Sequence, residues 1–277
     1  MPTLKEIKGR IASVRNTLKI TSAMKLVSSA KLRKAQKAIE AMRPYQLQLQ
    51  QMLSAVSLPS GTNPGELAPG KTVIVAIASN SSLCGGFNAN AIAKLRAVRQ
   101  PEDIVYPLGR KMADTMRRDG FIPQEDFSAL IEHPSYEAAA ALADRLAADV
   151  AEGRISKVLL VYNHFVSTAR QQPVVEQLLP LEPASVEPDP DRASDIIIEP
   201  DAASLRTVLE AKSVKLNLYA ALLDSAAAEH AARTVAMQTA TDNAEQLLSE
   251  LTLQYNKGRQ QKITTEILDL AGGQVAG

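Results

Sequence analysis

The chain has no tryptophan, one cysteine and few aromatics, and it lacks any long unbroken apolar run. Each shortage closes off a class of protein. The single thiol, Cys84, rules out an internal disulfide and fits a reducing compartment. A membrane span needs about 20 consecutive apolar residues, and nothing here approaches that. The N-terminus has no signal-peptide apolar core. Its basic, acid-poor start imitates a mitochondrial transit peptide, but the pattern runs on into a structural helix, which favours a bacterial source. Aromatics make up 4% of residues against a hydrophobic content of 45%. The apolar residues are therefore largely Ala and Leu, which suit helix–helix packing.

Helix breakers are scarce in two places. From Asp201 onward there is no proline, and the only glycine before Gly272 is Gly258. A helix of ~70 residues at 1.5 Å each would be a rod of ~100 Å, whereas ordinary helices run about 11–12 residues. A second segment of about 55 residues, as long as several such helices, opens the chain. Rods of this length imply a part that spans a distance inside a larger assembly.

Charge is divided along the chain. Residues 1–57 hold eleven Lys or Arg against Glu6 and Glu40, a net of +9. Residues 201–277 hold seven basic and nine acidic side chains, a net of −2, so the overall +1 leaves −6 for the middle. That asymmetry points to an acidic partner for the first rod.

The first rod opens with Leu4, Ile7, Ile11, Val14 and Leu18, alternating steps of three and four, the seam of a coiled coil. The same register then lands on Thr21, Lys25 and Ser28, so the seam turns polar and small. Apolar spacing resumes at Ala35, Ala38, Met42, Tyr45, Leu49, Met52 and Val56 after a phase slip. Pro44 lies inside this run and should either bend the helix or divide it. The second rod carries Leu216, Tyr219, Leu223, Ala226 and His230, then Met237, Thr241, Ala244, Leu248, Leu251 and Tyr255. The two seams should pair with each other, antiparallel because a domain between them lets the chain reverse. The longer second rod should project beyond the pair at its C-terminal end.

Residues 58–70, with three prolines and three glycines, read as a linker. Residues 71–200 read as α/β. Strands are expected at Val73–Ala78, Ile104–Leu108, Val158–Phe165 and Pro173–Leu179. Helices are expected at Ala89–Val98, Lys111–Arg118 and Tyr136–Val150. Alternation of this kind predicts a mostly parallel, Rossmann-like sheet covered on both faces. The acidic, proline-containing stretch Leu181–Arg192 reads as a loop. The resulting division is 1–57 helix, 58–70 linker, 71–200 α/β domain and 201–277 helix.

No catalytic set stands out. GELAPGKT, from Gly65, fits the phosphate-binding pattern G-x-x-x-x-G-K-T, but that loop must follow a strand and open a helix. Here a linker precedes it and a strand follows. SLCGGFN, residues 82–88, sits after the first strand, where two glycines could admit a ligand to the backbone. The alternative is a tight strand-to-helix turn with Asn88 as N-cap. Cys84 has no His or cationic partner in sequence to lower its pKa. His133, His164 and His230 lack metal-ligand spacing. The basic band Lys31, Arg33, Lys34 and Lys37 suits nucleic acid or a carboxylate-rich protein surface. Absent aromatic interleaving and the −6 middle segment disfavour the former.

Residues 11–37, IASVRNTLKITSAMKLVSSAKLRKAQK, resemble the opening helix of the gamma subunit of F-type ATP synthases. Residues 232–273 resemble that family's C-terminal helix, including an I-T-x-E-x-x-[DE] pattern at Ile263–Asp269. LCGGFN and Glu199–Pro200 also fall where the family places similar segments. There are departures. Asn80, Ser81 and Ser82 stand where Asp-Arg-Gly is common, and Ile196, Ile197 and Ile198 stand where aromatics often precede Glu-Pro. Gln274 follows Gly273 where Ala is usual.

The resemblance implies a non-catalytic shaft inside a ring of alpha and beta subunits. Its α/β foot would sit against the c-subunit ring and epsilon, on the cytoplasmic face of a bacterial membrane as a peripheral subunit. It implies no cofactor, metal or nucleic acid, and no insertion into the membrane. Met24 and Lys25, with Arg259, Gln260, Thr264 and Glu266 at the tip, would contact beta. Glu199 would contact the c-ring or epsilon. Small side chains at Ala23, Ser28, Ser29 and Ala30 would ease a close rotating fit.

Overall fold

The computed structural model describes residues 3–56, 71–121, 127–181, 198–199 and 201–273. The expected linker and acidic loop lie outside these, apart from Leu181, as do Pro200, Ile196 and Ile197. Helix α1 spans Leu4–Val56. It starts in a reciprocal cap: Thr3 N donates to Glu6 Oε2 at 2.8 Å and Glu6 N to Thr3 Oγ1 at 3.3 Å. Pro44 lies on an exposed position and does not divide the helix. Strand β1 (Lys71–Ile77) leads to α2 (Phe87–Val98), β2 (Ile104–Leu108) and α3 (Arg110–Arg118). Then follow α4 (Ser128–Glu132), α5 (Tyr136–Ala151), β3 (Ile155–Phe165), β4 (Gln171–Leu179) and α6 (Ala202–Gly273).

The chain forms two compact units, residues 1–28 with 234–277, and residues 29–233. In the second unit the strand order is β2-β1-β3-β4. β1 pairs parallel with β2 and β3, and β4 closes the edge antiparallel to β3. Period-two alternation sends Val73, Val75 and Ile77 to one face, where they meet Leu142 and Leu146 of α5 and Val214, Leu218 and Leu222 of α6. Ile74 and Ala76 face the other way, with Ala91 and Leu95 of α2 and Met112 and Met116 of α3. Lys71 and Thr72 are the first residues of β1, not the start of a helix, so the phosphate-loop reading of that motif fails.

α2 starts two residues earlier than expected, and its N-cap is Gly86 with no side-chain bond. Asn88 therefore does not cap α2. Its Oδ1 accepts from Ser79 N at 3.0 Å, and its Nδ2 donates to Ser79 Oγ at 2.8 Å. It ties the end of β1 to the first turn of α2. Cys84 is buried beside this network.

In the first unit, Thr21 Oγ1 accepts from Thr241 Oγ1 at 2.9 Å, and Lys25 Nζ donates to Gln238 Oε1 at 2.8 Å. Leu4 lies against Gly258, where an added Cβ would meet its Cδ2 at 3.2 Å. Position rises along α1 as it falls along α6, so the segments run antiparallel. Ile7, Thr21, Ser28, Met237, Thr241, Ala244 and Leu251 are buried along the line of contact.

Candidate functional site

The first unit is a pair of helices, and what it can do depends on the surface that the pair presents. Its seam is narrow and partly polar, with Thr21–Thr241 and Lys25–Gln238 bridging the helices. Outside the seam, large apolar side chains stand in solvent: Ile20 60% exposed, Leu26 68%, Val27 57% and Leu253 69%. Ile263, Ile267 and Leu268 are exposed farther along α6. Contiguous exposed apolar patches mark surfaces that bury against protein. The sequence reading followed the seam and missed these residues. Their signal was present, since Ile20 and Val27 are apolar at positions that the three-and-four spacing leaves outward.

The expected contact residues are distributed as follows. Met24 is half-buried beside the seam. Lys25 is half-buried, its ammonium engaged by Gln238. Ser28 is buried in the seam and so cannot present a small side chain outward, whereas Ala23 and Ala30 are exposed. Arg259, Gln260, Thr264 and Glu266 are all exposed, beyond the point where Leu4 meets Gly258. Thr264 Oγ1 donates back to the Gln260 carbonyl at 2.9 Å. Glu266 forms an open ion pair with Lys262 at 3.6 Å, which contributes little in water.

In the second unit, Glu199 is exposed ahead of α6. The helix-start role is filled instead by Asp201. Its Oδ1 accepts from Ser204 N at 2.8 Å and its Oδ2 from the Ser204 hydroxyl at 2.7 Å. Those bonds, the backbone one first, hold the Asp201 carboxyl below its ordinary pKa. Arg233 and Glu229 form a buried ion pair on α6, and Arg233 Nη2 also reaches the carbonyls of Ser81 and Ser82 at 3.4 Å. This anchors the loop after β1. Leu83 in that loop is exposed, with a left-handed backbone of φ 66°.

His164 Nδ1 lies 2.5 Å from Asp224 Oδ2, and Phe165 N donates to Asp224 Oδ1 at 3.0 Å. Burial raises the Asp224 pKa against these bonds. His230 is pushed down to about 4 by burial first, then by Arg233 and Lys31. No helix among the described residues is long and apolar enough to cross a membrane.

A two-helix seam with apolar side chains left in solvent and a four-stranded α/β domain together define the architecture of this chain. The comparisons place it: the family model described as ATP synthase matches residues 3–276, and the chain belongs to the ATP synthase gamma chain family. The ATP synthase gamma chain of Bacteroides fragilis is 47% identical over 290 residues, covering 100% of both chains. That of Flavobacterium johnsoniae is 41% identical over 287 residues, covering 99% of this chain and 98% of the relative. Among solved structures, a chain of the Euglena gracilis mitochondrial ATP synthase rotor superposes with a TM-score of 0.67 at 17% identity. That match covers 94% of this chain and 98% of the other. A Tetrahymena thermophila central stalk and c-ring structure has a chain that matches with a TM-score of 0.58 at 24% identity. It covers 80% of this chain and 99% of the other.

Proposed function

We propose that this chain is the rotating central stalk of an F-type ATP synthase, transmitting torque between the membrane c-ring and the alpha/beta head. One structural observation carries the reading: the antiparallel helix pair leaves Ile20, Leu26, Val27 and Leu253 exposed around a narrow seam. Free in water such a surface is a liability, whereas inside a sleeve of alpha and beta subunits it is a bearing. The chain itself does no chemistry in this reading. Its asymmetric surface would drive the catalytic sites of the head through successive states as ion flow turns the ring.

Functionally the division is 1–57 and 201–277 as shaft, 58–70 as linker and 71–200 as foot. Met24 and Lys25 face acidic loops of beta, and Arg259, Gln260, Thr264 and Glu266 engage a catch at the tip. Exposure of the four tip residues supports that assignment. Glu199, exposed ahead of α6, faces the c-ring or epsilon. The complex lies on the cytoplasmic face of a bacterial membrane, with this subunit peripheral.

Reconstitution tests the reading. Alpha and beta subunits mixed with this chain and epsilon should assemble into a complex that hydrolyses ATP and pumps ions once joined to the membrane sector. Omitting the chain should abolish pumping. Full pumping without it would overturn the proposal.

A further inference from the structure

A cavity of about 430 Å³ opens in the second unit among α1, α6 and the loops after β1, β2 and α4. That volume lies in the range of small-molecule sites, about 300–1,000 Å³. It opens beside the carboxyl ends of β1 and β2, where Asn80, Ser81 and Arg110 line it. Asn80, just after β1, supports this mouth on both sides: its Oδ1 accepts from Arg110 N at 3.0 Å and its Nδ2 donates to the Ser128 carbonyl at 2.7 Å.

The charges around the cavity do not balance. Arg233 is neutralised by its buried ion pair with Glu229. Lys31 and Lys34, one turn apart on α1, and Arg110, at the start of α3, form no ion pair among the described residues, and all three are exposed. Glu132 is the other carboxylate in the lining, which leaves a surplus of positive charge. The remaining wall mixes polar Asn80, Ser81, His133 and His230 with an apolar part that includes Tyr219, whose ring stands edge-on to Tyr136 at 5.9 Å between centroids.

We propose that this cavity binds a small organic phosphate. Its phosphoryl oxygens would be held by Lys31, Lys34 and Arg110, and its planar or apolar part would lie against Tyr219, Ile131 and Leu223. Charge-assisted hydrogen bonds from cations to phosphate are short and about twice as strong as neutral ones. An apolar wall then adds affinity that a bare anion cannot gain. All of its lining residues belong to the second unit, and the proposal does not depend on the rotor reading.

The test uses the isolated full chain with isotope-labelled histidine, titrated with ADP, pyrophosphate or adenosine and followed by NMR. His133 and His230 line the cavity, whereas His164 is bonded to Asp224 outside the lining and serves as the internal control. ADP should shift the His133 and His230 signals saturably with Kd below about 1 mM. It should also raise the His230 pKa, because an anion beside Lys31 counters one of the charges that hold it down. Pyrophosphate should bind more weakly than ADP, and adenosine should not bind. K31A/K34A, both exposed positions, should keep the fold by circular dichroism and weaken ADP about tenfold or more, roughly 1.4 kcal/mol or more. The proposal is overturned if neither phosphate compound gives a saturable shift. Unchanged ADP affinity in K31A/K34A, or equal affinity for pyrophosphate and ADP, would also overturn it.

Discussion

At Gly109 the backbone takes φ 97°, and a Cβ would stand 2.1 Å from the Ala78 carbonyl oxygen. Only glycine fits where β2 turns into α3. Gly109→Ala should lower stability by about 1–3 kcal/mol or more through strain and displaced backbone. Thermal melting of the variant checks this, and an unchanged Tm would contradict it. His230 gives a pH-dependent case. Held neutral when folded, it takes up a proton on unfolding, so acid favours the unfolded state. Its contribution is complete above about pH 6.5 and is lost as pH falls toward about 4. Across that window wild type should lose about 2–4 kcal/mol that His230→Gln does not lose. Urea denaturation at each pH measures it, and parallel pH profiles would sink the idea.

Two contact residues can be tested at the same scale. In the proposed arrangement Met24→Lys adds a cation beside Lys25 that would reach acidic loops on beta. Hydrolysis should persist while ion pumping becomes inefficient, because a tighter grip adds a barrier to rotation. Equal coupling in variant and parent would remove Met24 from that surface. Glu199→Lys should leave the melting temperature nearly unchanged, since Asp201 caps α6. It should impair ATP-driven pumping, and a variant that pumps normally would take Glu199 out of the foot contact. Some residue roles were not legible in sequence. The partner of Asn88 is Ser79, nine positions earlier across a turn, so its capping residue type was visible and its true bond was not.

The seams were the most legible elements, because a repeated three-and-four step admits one helical face. The structure buries Ile7, Thr21, Ser28, Met237, Thr241, Ala244 and Leu251 along it, but Tyr45 and Met52, expected in the seam, are 52% and 50% exposed. Leu251 is 2% exposed, and Leu251→Asp would bury an unpaired carboxylate, which is strongly unfavourable. Coupled, assembled enzyme should be lost while the α/β unit keeps its near-native circular dichroism signal. Normal assembly and pumping would refute the paired seam. Where α6 packs on the sheet the pattern was harder to read. There Val214, Leu218 and Leu222 cover β1 and β3 while Leu216 packs with Leu49 and Val56 of α1. A helix buried on two sides loses its polar stripe, so one seam was extracted and the second face went unseen. Strand positions followed from continuous apolar runs, and the antiparallel edge strand β4 appeared as a partner for β3 without its direction. The five-residue α4 is too short to show a period.

For the whole molecule, the +9 of residues 1–57 and the exposed apolar residues of the helix pair serve one account. In the proposed account apolar side chains would let the shaft be enclosed, and basic ones would give it handles on acidic partner loops. This level was legible in sequence through motif resemblance and charge division. The bearing surface required the structure, since exposure is not a property of sequence spacing alone. Rotation is the claim that joins all of this, and single-molecule observation tests it directly. Cys84 is buried, so Ala97→Cys on the exposed side of α2 offers a selective site for a bead. With the alpha/beta head fixed to glass and ATP supplied, the bead should turn in one direction in discrete steps that stop when ATP is removed. A bead that only diffuses about a fixed angle, in complexes that are hydrolysing ATP, would contradict the account.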